Sequence, residues 1–250
     1  MMNGKTETKN FPCRSCGKEI PVEVPVEELA RKLFLSVFSG GLCEECVAKT
    51  AAEEEQRQQE RRREEFIQSL PSRLATIGLP KKYAIDAPRV AFVADWIFEN
   101  RRKHLVLSGQ TGTGKSTSAG YIARKLTASS YAKIRYFSLR KLLAEWRIAK
   151  TADNQRAAEN FIAELARLDV LIIDEFIDKA SITASGQELL YELIDSAYNG
   201  SIRCRLWLLG NFYRGSIAEM FDDPYPVLRR FRESFTCGLI EQGTITKINF

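Results

Sequence analysis

The chain has 250 residues, 44% hydrophobic and 28% charged, enough for one large α/β domain with a small appendage and a core of useful size. No apolar run approaches the roughly 20 residues that cross a bilayer, and residues 1–10 are polar without a signal-peptide core, so no membrane partner is expected and the protein reads as cytoplasmic. The formal charge of +5 permits a nucleic-acid partner without establishing one.

In chain order, the first region is residues 1–46. Cys13-x₂-Cys16 and Cys43-x₂-Cys46 are two knuckles separated by 26 residues. In a cytoplasmic protein such cysteines serve metals more often than disulfides. Four thiolates at this spacing suit a closed tetrahedral Zn²⁺ site, structural rather than catalytic. Arg14, Gly17 and Lys18 fit a tight cationic turn that favours thiolate. The segment Val26–Leu35 between the knuckles reads as a helix. So small a unit needs a metal to hold together. Cys204 and Cys237 fall in or beside predicted strands and read as core, and His104, the only histidine, has no place in a shell that four cysteines complete.

Residues 47–70 are dense in charge and in good helix formers, with Glu53 and Arg57 at a favourable i,i+4 spacing. Polar on every face, the tract reads as a solvated helix linking two domains, with disordered chain as the alternative. Pro71 is expected to end it.

From residue 71 to 250 helices and buried strands alternate, the pattern of a parallel-sheet α/β domain. After a helix over Ala91–Phe98, five strands are predicted: Leu105–Ser108, Ile134–Ser138, Val170–Ile173, Arg205–Leu209 and Phe235–Ile240. Helices are predicted over about Leu139–Lys150 and Asn154–Leu168 between the second and third. The first strand runs into Gly109, Gln110, Thr111, Gly112, Thr113, Gly114, Lys115 and Ser116, which fill every fixed position of G-x-x-x-x-G-K-[ST], with Thr117 in the helix that follows. Glycines let the loop amides turn inward around phosphates, and the helix N-terminus adds its positive dipole end. Lys115 is placed to reach the β/γ-phosphates, and Ser116 to hold Mg²⁺. This strand–loop–helix predicts nucleoside triphosphate binding.

The third strand ends in Asp174 and Glu175. Asp174 is expected beside the phosphate loop, in the Mg²⁺ shell, and Glu175 is expected to polarise the attacking water. The fourth strand ends at Gly210–Asn211, where Asn211 either orients the water or caps the next helix.

Together the loop, the Asp174–Glu175 pair and a strand-end Asn resemble the AAA+ ATPases. More narrowly, residues 74–240 resemble the DnaC/DnaI-type helicase loaders and IstB-type transposition helpers, on Ile77–Tyr83 and Tyr136–Leu143 as well. The resemblance implies an AAA+ P-loop domain with a five-stranded parallel sheet over residues 71–250. The chain stops soon after the last strand, so no C-terminal helical lid is expected, as in that clade. Lys115, Asp174, Glu175 and Asn211 would bind phosphate, handle Mg²⁺ and water, and sense nucleotide. The family also places an arginine finger late in the domain, donated to a neighbouring subunit. Arg230 aligns best, with Arg229 and Arg232 as alternatives, and it is expected to have no target in its own chain. The clade's Arg–Tyr pair before the fourth strand is Ala197–Tyr198 here.

The function so implied is an ATPase that delivers a hexameric replicative helicase to DNA in replication initiation, using ATP, Mg²⁺ and Zn²⁺. Its zinc module would grip the helicase while the ATPase domain forms an ATP-dependent homo-oligomer. The alternatives are an IstB-like transposition helper and a zinc-containing nucleic-acid-binding ATP switch. Single-stranded DNA is expected along Ser138–Leu168, which carries Arg140, Lys141, Arg147, Lys150, Arg156, Arg167 and Trp146, with ordinary solvated helix faces as the alternative.

Overall fold

A computed structural model describes residues 6–37, 41–151, 155–176, 182–211, 217, 219–248 and 250. Its internal contacts divide the chain into two units, Met1–Gln68 and Ser69–Phe250.

The first unit opens with β1 (Thr6–Pro12) and β2 (Glu19–Pro25), paired antiparallel from Thr6↔Pro25 to Pro12↔Glu19. These strands were not among the sequence expectations. Their signal is the alternation Ile20, Val22, Val24, whose side chains turn inward while their neighbours face water. Helix α1 (Glu28–Val37) follows, and then α2 (Glu44–Thr76), which begins in the first unit and ends past its boundary at Gln68.

Helix α2 buries none of its residues and, contrary to expectation, runs through Pro71. A helical proline forfeits one hydrogen bond, to the carbonyl four residues back. Here that carbonyl belongs to Ile67, whose side chain is 58% exposed, so water is at hand to satisfy it.

The second unit contains α3 (Ala91–Glu99), β3 (His104–Gly109), α4 (Lys115–Ser129), β4 (Ile134–Ser138), α5 (Leu139–Thr151), α6 (Gln155–Ala166), β5 (Val170–Asp174), α7 (Ala184–Tyr198), β6 (Arg205–Gly210), α8 (Tyr225–Ser234), β7 (Phe235–Glu241) and β8 (Thr244–Lys247). The expected start of α6, Asn154, lies outside the described residues. The sheet order is β4-β5-β6-β3-β7-β8, parallel except for β8.

Six strands therefore replace the expected five. β8 returns antiparallel along β7 through Gln242–Gly243, both at positive φ (48° and 79°), the two-residue turn that matches strand twist. Its sequence signal is faint because an edge strand needs little apolar material, and only Ile245 of Thr244–Lys247 is even half-buried.

Every residue of β5 is buried, as befits a parallel strand covered on both faces. Alternation divides its neighbours. Leu171 and Ile173 join a cluster with Leu142, Trp146, Leu190 and Phe231, from α5, α7 and α8. Val170 and Ile172 join one with Val93, Ile97, Ile122 and Ala123, from α3 and α4. Helices on both faces leave the carboxyl edge of β3, β5 and β6 as the place for a ligand. Among the described residues no helix is long and apolar enough to cross a membrane.

Candidate functional site

At that edge β3 delivers Gly109, and the chain turns through Gln110–Gly114 before α4 begins at Lys115. Gly114 caps the helix at φ 87°, and a Cβ there would sit 2.6 Å from Val90 Cγ2. No residue with a side chain fits that corner. Thr113 Oγ1 donates to Gln110 O at 2.9 Å and Thr117 Oγ1 to Gly114 O at 3.0 Å, which secures both ends of the turn. The first amides of α4 have no partner within the helix, which makes this end an anion seat.

Lys115 is only 8% exposed. Its ammonium donates to the carbonyls of Gly109 (2.5 Å) and Gln110 (2.8 Å) and to Thr113 Oγ1 (3.2 Å). Burial lowers its pKa below the ordinary lysine value, and the charge of Asp174 opposes that shift.

Asp174 ends β5, 3% exposed. Its Oδ1 accepts the Glu175 amide at 2.9 Å, and its Oδ2 accepts the Tyr136 hydroxyl. Glu175 takes the left-handed conformation, φ 55°, at a cost of about 1–3 kcal/mol for a non-glycine residue. The turn breaks the line of β5, and the Phe176 amide then bonds Leu209 O on β6 at 2.9 Å.

These pieces enclose a cleft of about 430 Å³ lined by Thr111, Gly112, Gly114, Lys115, Ser116, Thr117, Asp174, Glu175 and Asn211. Gly109, Gln110 and Thr113 line an adjoining cleft of about 740 Å³ toward the β7–β8 turn, and Asn211 lines both. The first cleft thus gathers a lysine, a hydroxyl, two carboxylates and an amide around one concavity, with a helix N-terminus at its floor. That donor set suits a triphosphate with a hard divalent cation, for which Ser116 and Asp174 are the oxygen ligands at hand.

Tyr83 and Arg89 also line it, and neither was given a role from sequence. Tyr83 belongs to the Ile77–Tyr83 lead-in, which marks it. Arg89 follows Ala87–Pro88 with nothing in its pattern to single it out.

None of Arg229, Arg230 and Arg232 lines this cleft. Contrary to expectation, Arg230 has a target in its own chain, since its guanidinium pairs with Asp195 on α7 and lies 5.9 Å from the Tyr198 ring. The pairing arises because α7 and α8 pack together, a tertiary neighbourhood invisible in the local pattern. Arg229 pairs with Glu233 at 3.0 Å. Trp146, expected along the DNA path, is likewise not at the surface. It is 3% exposed, and its indole N–H donates to Ser185 O at 2.8 Å. Arg140, Lys141, Arg147, Lys150, Arg156 and Arg167 are all exposed, with Lys150 bonded to Glu188.

In the first unit the sulfurs of Cys13, Cys16, Cys43 and Cys46 all lie within 4.8 Å of one another. A tetrahedral Zn²⁺ with roughly 2.3 Å bonds needs sulfurs about 3.8 Å apart, and Cys16–Cys43 stands at 3.6 Å. The first pair sits in the β1–β2 turn, where Cys13 N donates to Lys18 O at 2.8 Å and Gly17 N to Cys13 O at 2.9 Å. The second pair flanks the start of α2, whose N-terminus favours thiolate. Amide donors from Cys16, Cys43 and Ser15 lower the Cys13 thiol to about 6. The Ser15 hydroxyl lowers Cys46 too, but the neighbouring sulfurs outweigh it and push Cys46 up to about 12. Sulfurs crowded so that they oppose ionisation at Cys46 are the electrostatic situation a dication relieves. Cys204 and Cys237 are buried and raised to about 12 by desolvation, as core thiols. His104 begins β3, where its Nδ1 accepts the Leu206 amide at 3.1 Å.

Comparison with known proteins agrees with this geometry. The model of the family "IstB-like ATP binding protein" matches residues 39–204. Among solved structures, the chain resembles the DnaC helicase loader at 14% identity and TM-score 0.52, over 65% of this chain and all of that one. A putative primosome component from Streptococcus pyogenes serotype M3 matches at 19% identity over 70% and 93% of the two chains, with TM-score 0.47. The replication initiator DnaA, bound to AMPPCP and single-stranded DNA, matches at 16% identity with TM-score 0.49, over 65% of this chain and 51% of its own. No curated protein sequence gives a significant match. The loader likeness establishes an AAA+ P-loop fold, and with more than half of its residues matched, the chain belongs to the family of IstB-like ATP binding proteins.

Proposed function

We propose that this protein is a Mg²⁺-dependent ATPase that loads a hexameric replicative helicase during replication initiation. In this reading it acts in the cytoplasm as an ATP-dependent homo-oligomer on single-stranded DNA. The observation that carries the ATP chemistry is the convergence of Lys115, Ser116, Asp174, Glu175 and Asn211 on one cleft. Loop amides and Lys115 bind the β/γ-phosphates, Lys115 exchanging its loop carbonyls for phosphate oxygens. Ser116 and Asp174 hold Mg²⁺, which when bound neutralises phosphate charge. Glu175 polarises the attacking water, and Asn211 orients it. The arginine finger comes from a neighbouring copy, and if Arg230 is that residue it must first leave Asp195.

The loader assignment draws support from the fold likeness to the DnaC helicase loader across all of that chain. It assigns residues 1–46 to a zinc module that grips the helicase, 47–70 to a helical linker and 71–250 to the ATPase. The exposed arginines and lysines of α5 and α6 supply the salt-dependent grip on DNA, without Trp146. The family match itself favours a second reading, a transposition helper that engages a transposase and duplex DNA.

Pull-down with ATP and Mg²⁺ against a hexameric helicase and against a transposase separates the two. Retention by the helicase, lost on Cys43→Ser/Cys46→Ser, is expected. Retention by the transposase alone replaces the loader reading with the second.

A further inference from the structure

We infer that Tyr136, on β4, is a positioning residue that sets the carboxylate of Asp174 for the divalent cation. The inference rests on the nucleotide reading above and adds to it a residue outside the phosphate loop and the acid pair.

The two oxygens of Asp174 are divided between two donors, the Glu175 amide on Oδ1 and the Tyr136 hydroxyl on Oδ2. A carboxylate held at both oxygens cannot turn about its last bond, so one orientation faces the cleft. Each oxygen keeps a further lone pair for the cation or its water. Outer partners of this kind orient metal ligands.

Tyr136 is itself firmly placed. It is 4% exposed, its amide donates to Ile77 O at 2.6 Å, and its ring lies 6.1 Å from Tyr83, which lines the cleft. In register Tyr136 faces Ile172 while Ser138 faces Asp174. The tyrosine therefore stands two residues back on the same face, a diagonal that its length can span.

Its ring shares an apolar cluster with Ile77, Ile134 and Ile172, where phenylalanine would pack as well. Among the described residues, the hydroxyl's hydrogen-bond partner is Asp174. A phenol ordinarily ionises only near pH 10, so at neutral pH the hydroxyl is a donor.

The test follows binding of a fluorescent N-methylanthraniloyl ATP analogue to the full chain while Mg²⁺ is titrated, with melting recorded in parallel. In Tyr136→Phe the half-saturating Mg²⁺ should rise about tenfold, while metal-free analogue binding, which the loop and Lys115 supply, stays at the wild-type level. An unchanged Mg²⁺ requirement overturns the proposal.

Because Phe leaves a buried carboxylate short of a donor, the same substitution is also made in Asp174→Asn. There it should add nothing to the Mg²⁺ requirement, and a further loss would mean that Tyr136 acts by another route. A wild-type chain that binds no analogue at any Mg²⁺ overturns the nucleotide reading and this inference together. A wild type that binds, beside a Tyr136→Phe protein that behaves identically, overturns only the inference.

Discussion

Among the residues of Met1–Gln68 whose side chains the structure describes, only Cys13, Val24 and Cys43 are buried. Ser69–Phe250 instead buries a whole central strand and packs both faces of its sheet. The inward positions of β1 are Glu7, Lys9 and Phe11, two of them charged, with Glu7 paired to Lys9 and Arg31. Exposed pairs of that kind contribute little. We expect one region to depend on its four sulfurs for cohesion and the other on apolar burial, so that the two fail under different insults.

The largest effect should come from removing the candidate metal ligands. Cys43→Ser/Cys46→Ser should lower zinc from one per chain to none by elemental analysis and melt the hairpin, since structural Zn²⁺ is worth about 10–16 kcal/mol in small modules. A truncated chain starting at Leu70 should still bind ATP. Zinc content unaffected by the double substitution would remove the metal from this side of the contrast.

Within the second unit, chemistry and stability should separate. Glu175→Gln is expected to retain ATP binding and to lower turnover by about 10²–10⁴-fold, the usual share of a general base. Lys115→Ala should instead weaken binding itself, so equal binding losses in both would contradict the division of roles.

Ile172→Ala, in the central strand, should cost about 2–5 kcal/mol in denaturant melts and leave zinc stoichiometry alone. A loss of zinc in that variant would show that the two units are not energetically distinct.

The smallest effect is on acid. Burial, helped by Arg205, lowers His104 from 6.5 to about 4, and its Nδ1 must stay unprotonated to accept the Leu206 amide. The folded pKa lies below the unfolded one, so this contribution is complete above about pH 6.5 and is lost as pH falls toward 4. His104→Gln should flatten the acid limb of stability against pH for the second unit, and an unchanged limb would mean that other groups set it.

The contrast also shows why some features were legible and others not. Buried parallel strands announce themselves as unbroken apolar runs, as Val170–Ile173 does. β1 and β8 do not, because strands with few buried residues need little apolar signal. Pro71 misled for a related reason: its rule presumes a carbonyl that cannot reach water, and on an exposed helix it can.

By itself the sequence determined the phosphate loop and the acid pair, since each is a contiguous segment whose donors and turns are written within a few residues. It determined the cysteine spacing as well, though not that β1, β2 and the start of α2 bring the four sulfurs within 4.8 Å. Only the tertiary structure decided that the Tyr136 hydroxyl meets Asp174, that Arg230 pairs with Asp195 and that Trp146 is sealed in the core. These partners lie on different elements. Their meeting depends on strand register and helix packing, which depend on the whole fold rather than on any local run of residues.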